Sequence, residues 1–535
     1  MVLLHVRVGR PTGVNLTIVS ILAPPEAEWA ILDSPVIRTG IYARAKGREL
    51  RSTFSSTMTT TSAHRDESLT EPPVVNALPE GCTLTETAST RRVRESVLVG
   101  GAPFRVINLS PKAQGAYERL ISGTPLESSP SLQRFARRLV DGGLLAPRWP
   151  STPVDISSLT VVVPVRDRFE ELDALLGDLK GLSVIVVDDA SKDAEGIAEI
   201  VSTHGARLVR RSEQGGPGAA RNTGFAHVTT PLVLFVDSDC RLSTDQLGNL
   251  VSHFTDPMVG AAAPRIRGPK GSTWFSAYES DASPLDLGPR RARVRPGSEV
   301  GFVPTAALLV RTSIGSTLFN EQLDGGEDVD LIWRLSERGW GIAYEPSVTV
   351  EHPARPDLLS WMAQRSYYGS TAASLEHLHG DAAAPIRGSA WMMSATAAMA
   401  LRRPILGAGL FGIGIRTIAS RLRGAHEDPV ALAADIGLTN AWRHAPLLAR
   451  QILRSYAPLL VLASLASRRS RRAAALCTLT AGIGHYVSVE ASMDPIQFIA
   501  LSTLDDLSYC AGLWRGAART RRSGALRPRI VWRSR

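Results

Sequence analysis

The apolar positions fall into unbroken runs that end in charge. Leu232-Val233-Leu234-Phe235-Val236 leads directly into Asp237-Ser238-Asp239. A run of that length without polar alternation reads as a strand buried on both faces. The run over 159–165 stops at Arg166-Asp167-Arg168, and the run over 183–187 stops at Asp188-Asp189. Between them, residues 170–179 set Leu172, Leu175, Leu176 and Leu179 on one helical face. A second helix is expected over 194–203 and a further strand over 206–210. Gly215-Gly216-Pro217-Gly218 reads as a Gly-rich turn entering a helix. Strands alternating with helices predict an α/β domain with a mostly parallel sheet, whose ligands bind at the carboxyl ends of the strands. Residues two apart on a strand point the same way, so Asp237 and Asp239 can converge on one divalent cation, Mg²⁺ or Mn²⁺.

The pattern divides the chain into five parts. Residues 1–79 show no clear period, and the texture changes at Met58. They are expected to be a disordered or mis-assigned extension, with natural translation starting at Met58. Residues 80–150 form a compact α+β unit. It has strands near 97–99 and 104–109, a helix opened by Ser110-Pro111, and another over 131–141 closed by Gly142-Gly143. Arg134, Arg137 and Arg138 read as a solvated helix face that an acidic peptide can also use. The α/β pattern occupies 155–385. Residues 386–515 are rich in Ala, Leu, Ile and Gly and read as helical. Arg402, Arg403 and Pro404 break the first apolar run and Arg416 closes it, so no uninterrupted stretch reaches the ~18–20 residues of a bilayer span. Helices lying on a membrane, or packed as a helical domain, are expected. Eight arginines from Arg515 to Arg535, without an acidic residue, suggest a basic tail over 516–535 that can touch anionic lipid.

Composition narrows this little. A hydrophobic content of 44% over 535 residues excludes wholesale disorder. Four cysteines, Cys82, Cys240, Cys477 and Cys510, lack metal-ligand spacing and a disulfide framework. A reducing, cytoplasmic setting is expected, at the inner face of the membrane if the helical region meets it. No ordered secretory signal is evident. The net charge of +9 suits an anionic lipid or a nucleotide, and no nucleic-acid partner is expected.

The stretches VVVPVRDR, VIVVDDAS, GGPGAARNTG, LFVDSD and GGEDVDLIWRLSERGW occur in an order and spacing that resemble family-2 glycosyltransferases with the GT-A fold. The resemblance implies a Rossmann-like domain using a UDP-sugar. It implies that Asp189, with Asp188, contacts the nucleotide base, and that Pro164 and Arg166 line the same pocket. Arg221 and Asn222 would open a helix toward the diphosphate, Asp237 would meet ribose or ion, and Asp239 the ion. His352 would be a third metal ligand, Asp328 the catalytic base, and Glu327 a partner for acceptor hydroxyls. From the residues alone, turn capping by Asp188 and Asp189 remains open, as does helix-dipole pairing by Glu327, Asp328 and Asp330. Trp333 and Trp340 read as core. The stretch Gln364-Arg365-Ser366-Tyr367-Tyr368 stands where processive relatives carry Gln-x-x-Arg-Trp, and it lacks the Trp.

The 80–150 unit resembles small winged-helix peptide-binding domains of the PqqD type, which implies that a precursor peptide pairs with its sheet edge. The whole arrangement resembles the glycosyltransferases of the mycofactocin system. That implies inverting transfer of glucose from UDP-glucose to a peptide-derived acceptor, building a short β-glucan chain. Rival readings are transfer to an envelope lipid or polysaccharide, and a peptide-binding scaffold with an idle GT-A domain.

Overall fold

The computed structural model describes residues 68–102, 104–151, 155–269, 274–353, 355, 357–423 and 428–531, with the backbone of residues 18–20. The expectation about Met58 falls outside the described residues.

The first unit holds two small sheets and two helices. Strand β1 (Ile18–Ser20) lies parallel to β5 (Arg105–Asn108), which continues through β4 (Val97–Gly100) to β3 (Arg91–Arg94). Strand β2 (Thr83–Glu86) pairs with β6 (Leu145–Arg148). Helix α1 (Pro111–Ile121) starts as expected, with Ser110 Oγ accepting from Ala113 N at 3.3 Å. Helix α2 (Pro130–Asp141) buries Leu132, Phe135, Ala136, Leu139 and Val140 on one side. Two expectations need correction. Residues 68–79 are not a free extension: Leu69 and Leu78 are buried, and Trp340 Nε1 donates to the Thr70 carbonyl at 2.9 Å. Arg137 is not solvated. It is buried and donates to both oxygens of Asp256, at 2.7 and 2.8 Å, tying this unit to the next.

In the second unit the main sheet runs β9-β8-β7-β10-β14-β12-β15-β11. These are β7 (Leu159–Val165), β8 (Ser183–Asp188), β9 (Arg207–Arg210), β10 (Leu232–Val236), β11 (Arg241–Leu242), β12 (Val259–Arg267), β14 (Ala307–Arg311) and β15 (Gly341–Glu351). A short β13 (Ala292–Arg293) adds to β15. Strands β7 to β10 are parallel, and β14 runs antiparallel between β10 and β12. The unbroken apolar runs follow from burial on both faces. Val161, Val163, Val186 and Leu234 pack with α3 (Phe169–Asp178) and α4 (Ala194–Thr203). Val162, Val187, Val233 and Phe235 pack with α5 (Gly216–Phe225) and α8 (Glu327–Arg338). Trp333 and Trp340 belong to that second core. The fold is GT-A-like. Two further helices are α6 (Leu247–Val251), packed on β12 and β15, and α7 (Trp274–Ala282), packed on the helical region.

Helix α9 (Leu358–His379) joins this sheet to the helical region: α10 (Ala390–Ala400), α11 (Pro404–Leu422), α12 (Pro429–Ala466), α13 (Arg468–Ser488) and α14 (Pro495–Thr520). Helices α9 and α14 touch through Gly369, Gly512 and Gly516, where any Cβ would strike the facing backbone. Arg365 is buried between them, bonded to Glu279 and 3.3 Å from Asp505. The exposed side of the small sheet is not free: Val97, Val99 and Val106 pack against Leu422, Leu432 and Ile436 of α11 and α12.

The expected basic tail is part of the fold. Strand β17 (Arg529–Val531) pairs with β16 (Arg387–Ser389), and Ala525 is buried. Three of its arginines are engaged: Arg515 with Ser366 at 2.7 Å, Arg522 with His377 at 2.6 Å, and Arg529 with Asp381. The expectation that no segment is long enough for a bilayer also changes. Among the described residues one helix, Pro404–Leu422, is long and apolar enough to cross a membrane by length and composition.

The last residue of α9 steadies α8. His379 Nε2 lies 2.9 Å from Asp330 Oδ1, and Nδ1 lies 3.6 Å from Glu337. Burial opposes a charge on His379, but these two carboxylates outweigh it and raise its pKa to about 9. The folded state therefore holds this proton more tightly than the unfolded chain. The stabilisation is full below the ordinary histidine value and is lost as pH rises through about 9. His379→Gln should lower the thermal midpoint clearly at pH 6 and much less at pH 10, read by circular dichroism. Asp256→Asn should strand the buried Arg137 charge and cost about 3–5 kcal/mol. Arg119→Ala, which removes only the exposed pair with Glu127, should leave the midpoint nearly unchanged in the same melts.

Candidate active site

The site forms where β10 stops. Asp237 N donates to the Ala306 carbonyl at 3.0 Å, and Cys240 N donates to the Asp237 carbonyl at 3.0 Å, so the Asp-Ser-Asp turn is held by its own backbone. Cys240 is fully buried, and its Sγ reaches the Ala306 carbonyl at 3.3 Å, as a small core residue would. Asp237, Asp239 and His352 each offer one ligand atom, and these atoms lie within 4.8 Å of one another. His352 comes from the end of β15, with Nε2 3.6 Å from Asp239 Oδ1. Two carboxylates and an imidazole fit a hard or borderline divalent cation, Mg²⁺ or Mn²⁺.

Arg168 was missed in the sequence. It pairs directly with Asp239. Arg166, the arginine expected in the pocket, is exposed, and its Nε sits 3.9 Å from Asp167 Oδ2. The reason is backbone geometry. Asp167 has φ of 52° and is locked to the next loop, donating from N to Ser191 Oγ and accepting from Lys192 N. That left-handed step turns Arg168 rather than Arg166 toward Asp239. Pro164 sits on β7 opposite Val187, partly buried.

Asp188 and Asp189 lie in the wall. Asp188 is fully buried, caps Ser191 N at 2.8 Å and pairs with Arg210. Asp189 accepts from Gly215 N at 2.9 Å, Gly216 N at 2.8 Å and Arg211 Nε at 2.9 Å. It thereby fixes the Gly-rich turn, where Gly216 has φ of 81°.

Arg221 and Asn222 depart from their expected place. Helix α5 begins at Gly216 with Pro217 in its first turn, so both lie beyond the first turn. Asn222 is fully used on the 318–321 loop: it donates to the Phe319 carbonyl and Glu321, and it accepts from Leu318 N and Phe319 N. Arg221 is buried. It donates to Asp237 Oδ1 at 2.5 Å and to Glu327 Oε1 at 2.9 Å, and it lies over the Phe319 ring at 5.5 Å. It thus joins the β10 turn to the start of α8.

Helix α8 starts behind two left-handed glycines, Gly325 at φ 95° and Gly326 at φ 81°. A Cβ at Gly325 would collide with the Tyr367 hydroxyl. Glu327, Asp328 and Asp330 form its first turn. Glu327 goes to Arg221, and Asp330 goes to Arg334 and His379. Asp328 keeps one oxygen on Val329 N at 2.7 Å. Burial, then the neighbouring Glu327 charge, push the Asp328 carboxyl up to about 7. Tyr367 stands beside it, half exposed. Burial and the carboxylates of Asp324, Glu327 and Asp328 push the Tyr367 phenol up to about 12. It therefore faces the site as a neutral donor.

Residues 160–317 match the family described as "Glycosyl transferase family 2". The chain is 36% identical over 475 residues to the "Pre-mycofactocin glycosyltransferase" of Mycobacterium tuberculosis, covering 85% of this chain and 98% of that one. It is 26% identical over 212 residues to "Glycosyltransferase AglE" of Haloferax volcanii, covering 37% of this chain and 67% of that one. Among solved structures, the mannosyltransferase PcManGT of Pyrobaculum calidifontis aligns with 64% of this chain and 92% of its own at 16% identity. The TM-score is 0.33. The chain belongs to the family-2 glycosyltransferases and, within them, to those of the mycofactocin system.

Proposed function

We propose that the protein transfers glucose from UDP-glucose to peptide-derived pre-mycofactocin with inversion at the anomeric carbon, building a short β-linked glucan. The observation that carries the transfer chemistry is geometric: Asp328, a carboxyl without a cationic partner among the described residues, stands next to Glu327, which Arg221 joins to the Asp237–Asp239 turn. The acceptor follows from the similarity to the pre-mycofactocin enzyme. A base titrating near neutrality suits removal of a proton from an acceptor hydroxyl. One base on the acceptor side is sufficient for inversion. The acceptor oxygen loses its proton to Asp328 and bonds to the anomeric carbon. The sugar–phosphate bond breaks on the opposite face, and UDP leaves with the electron pair. Asp237, Asp239 and His352 would hold Mg²⁺ or Mn²⁺, which when bound offsets charge on the diphosphate. Arg168 adds a second positive group there. Asp189, through the Gly-rich turn, shapes the nucleotide pocket beside Pro164. Tyr367 offers its hydroxyl to the incoming acceptor.

The precursor peptide is assigned to the outer edge of β3. That strand pairs only with β4 among the described residues, which leaves its outer backbone edge open, while Arg91 and Arg92 already pair with Asp435 and Glu118. An idle scaffold would have no use for a base held near neutrality beside a cation-binding set.

Asp328→Asn should reduce transfer by roughly 10²–10⁴-fold while donor binding persists. Mass spectrometry should show hexose additions to the extracted precursor with the wild type, and none to envelope lipid. The wild-type kcat/KM should rise with pH through about 7, because Asp328 works only when deprotonated. Glu327→Gln removes the neighbouring charge, so that limb should move to lower pH. EDTA should stop turnover and Mn²⁺ should restore it. NMR of the product should show a β linkage from the α-linked donor, and an α linkage would exclude inversion.

A further inference from the structure

The helical region exposes apolar surface that the rest of the molecule does not. Of the 25 large apolar side chains exposed among the described residues, 20 lie beyond residue 390. A folded monomer does not usually concentrate its exposed apolar side chains in this way without something to cover them.

The exposure is patterned. On α13, positions 469, 472, 476, 479, 483 and 487 recur at three- and four-residue steps and so share one face. That face begins with Arg469 and Arg472 and continues with Leu476, Leu479, Ile483 and Val487, all exposed. Helix α12 runs back along α13 after a single break at Ser467, and its end exposes Leu459, Leu462 and Leu465. Between the two helices only Ala449, Leu453 and Ala481 form a buried cluster, edged by Leu460 and Cys477. The hairpin is therefore apolar outside as well as inside. Its turn carries Arg468, Arg469, Arg471 and Arg472, and none of the four pairs with a carboxylate among the described residues. Trp442, 85% exposed, stands further along α12.

Charge identifies the occupant. Residues 386–535 hold 21 arginines, no lysine and seven acidic residues, a net +14 in a chain whose total is +9. The remaining residues are therefore net acidic. Apolar helical faces flanked by unpaired arginines, with an exposed tryptophan, match the interface of an anionic bilayer. A second copy of the chain would bring like charges together. We infer that the α12–α13 hairpin docks the enzyme onto an anionic lipid surface, with its leucine face in the acyl boundary and its arginines among the headgroups. Arg515, Arg522 and Arg529 of the C-terminal basic segment bond within the fold, so the anchor is placed on the hairpin rather than there.

The test is flotation of the full-length protein with vesicles of phosphatidylcholine alone or with 30% phosphatidylglycerol, at low and high salt. Wild type should float with the anionic vesicles at low salt. Arg469→Gln with Arg472→Gln should weaken that binding about 30-fold, from roughly 1 kcal/mol per basic residue near an anionic surface. Leu479→Gln with Ile483→Gln should abolish flotation. Both pairs should keep the wild-type circular dichroism spectrum and UDP-glucose turnover. The inference is overturned if wild type ignores anionic vesicles or if both pairs float like wild type. It is equally overturned if light scattering shows a dimer that the leucine substitutions dissolve.

Discussion

One buried guanidinium holds the candidate site together. Arg221 lies between the turn after β10 and the first residue of α8, and it bonds to a carboxylate from each. Burial alone would favour losing its proton, but Asp237 and Glu327 outweigh that and keep it charged. Its Nε has no partner among the described residues, so the two carboxylates carry nearly all of its compensation. Removing either would leave a charge stranded in the core, which is far costlier than losing an exposed pair. The Asp237–Asp239 turn and the start of α8 are therefore fixed relative to each other by electrostatics rather than by chain connectivity.

The same arrangement explains why neighbouring carboxylates behave differently. Glu327 is spent on Arg221, and Asp330 is spent on Arg334 and His379. Asp328 receives only a backbone donor, so burial and the charge of Glu327 raise its pKa. The two left-handed glycines before it let the helix start directly under Tyr367. Helix α9 carries that tyrosine and also ends in His379, so one helix steadies α8 at both ends. Close glycine contacts with α14 then tie this side of the site to the helical region.

Much of this was readable in the sequence because burial leaves a clear mark. The apolar runs of β7, β8 and β10 had no polar alternation, and the charged residues after them lie at the strand ends. Asp237, Asp239 and His352 came together as the strand pattern and the resemblance implied. What was hidden depended on single dihedral angles and long-range pairs. One left-handed residue, Asp167, sets Arg168 against Asp239 and leaves Arg166 exposed. Pro217 started α5 earlier than the Gly-rich run suggested, which moved Arg221 inward and made it a bridge. Arg137 looked solvated because its partner, Asp256, is more than a hundred residues away and only the fold brings them together. Arg522 and Arg529 looked like part of a free tail for the same reason.

Diffraction at the manganese edge, from crystals grown with Mn²⁺ and UDP, tests this account most directly. It predicts a single anomalous peak ligated by Asp239 and His352, with Asp237 at or beside it. The terminal phosphate of UDP should lie against that peak, on the side from which Asp328 faces the donor position. A peak held by other residues, or a phosphate on the far side of Arg221 from Asp328, would contradict it.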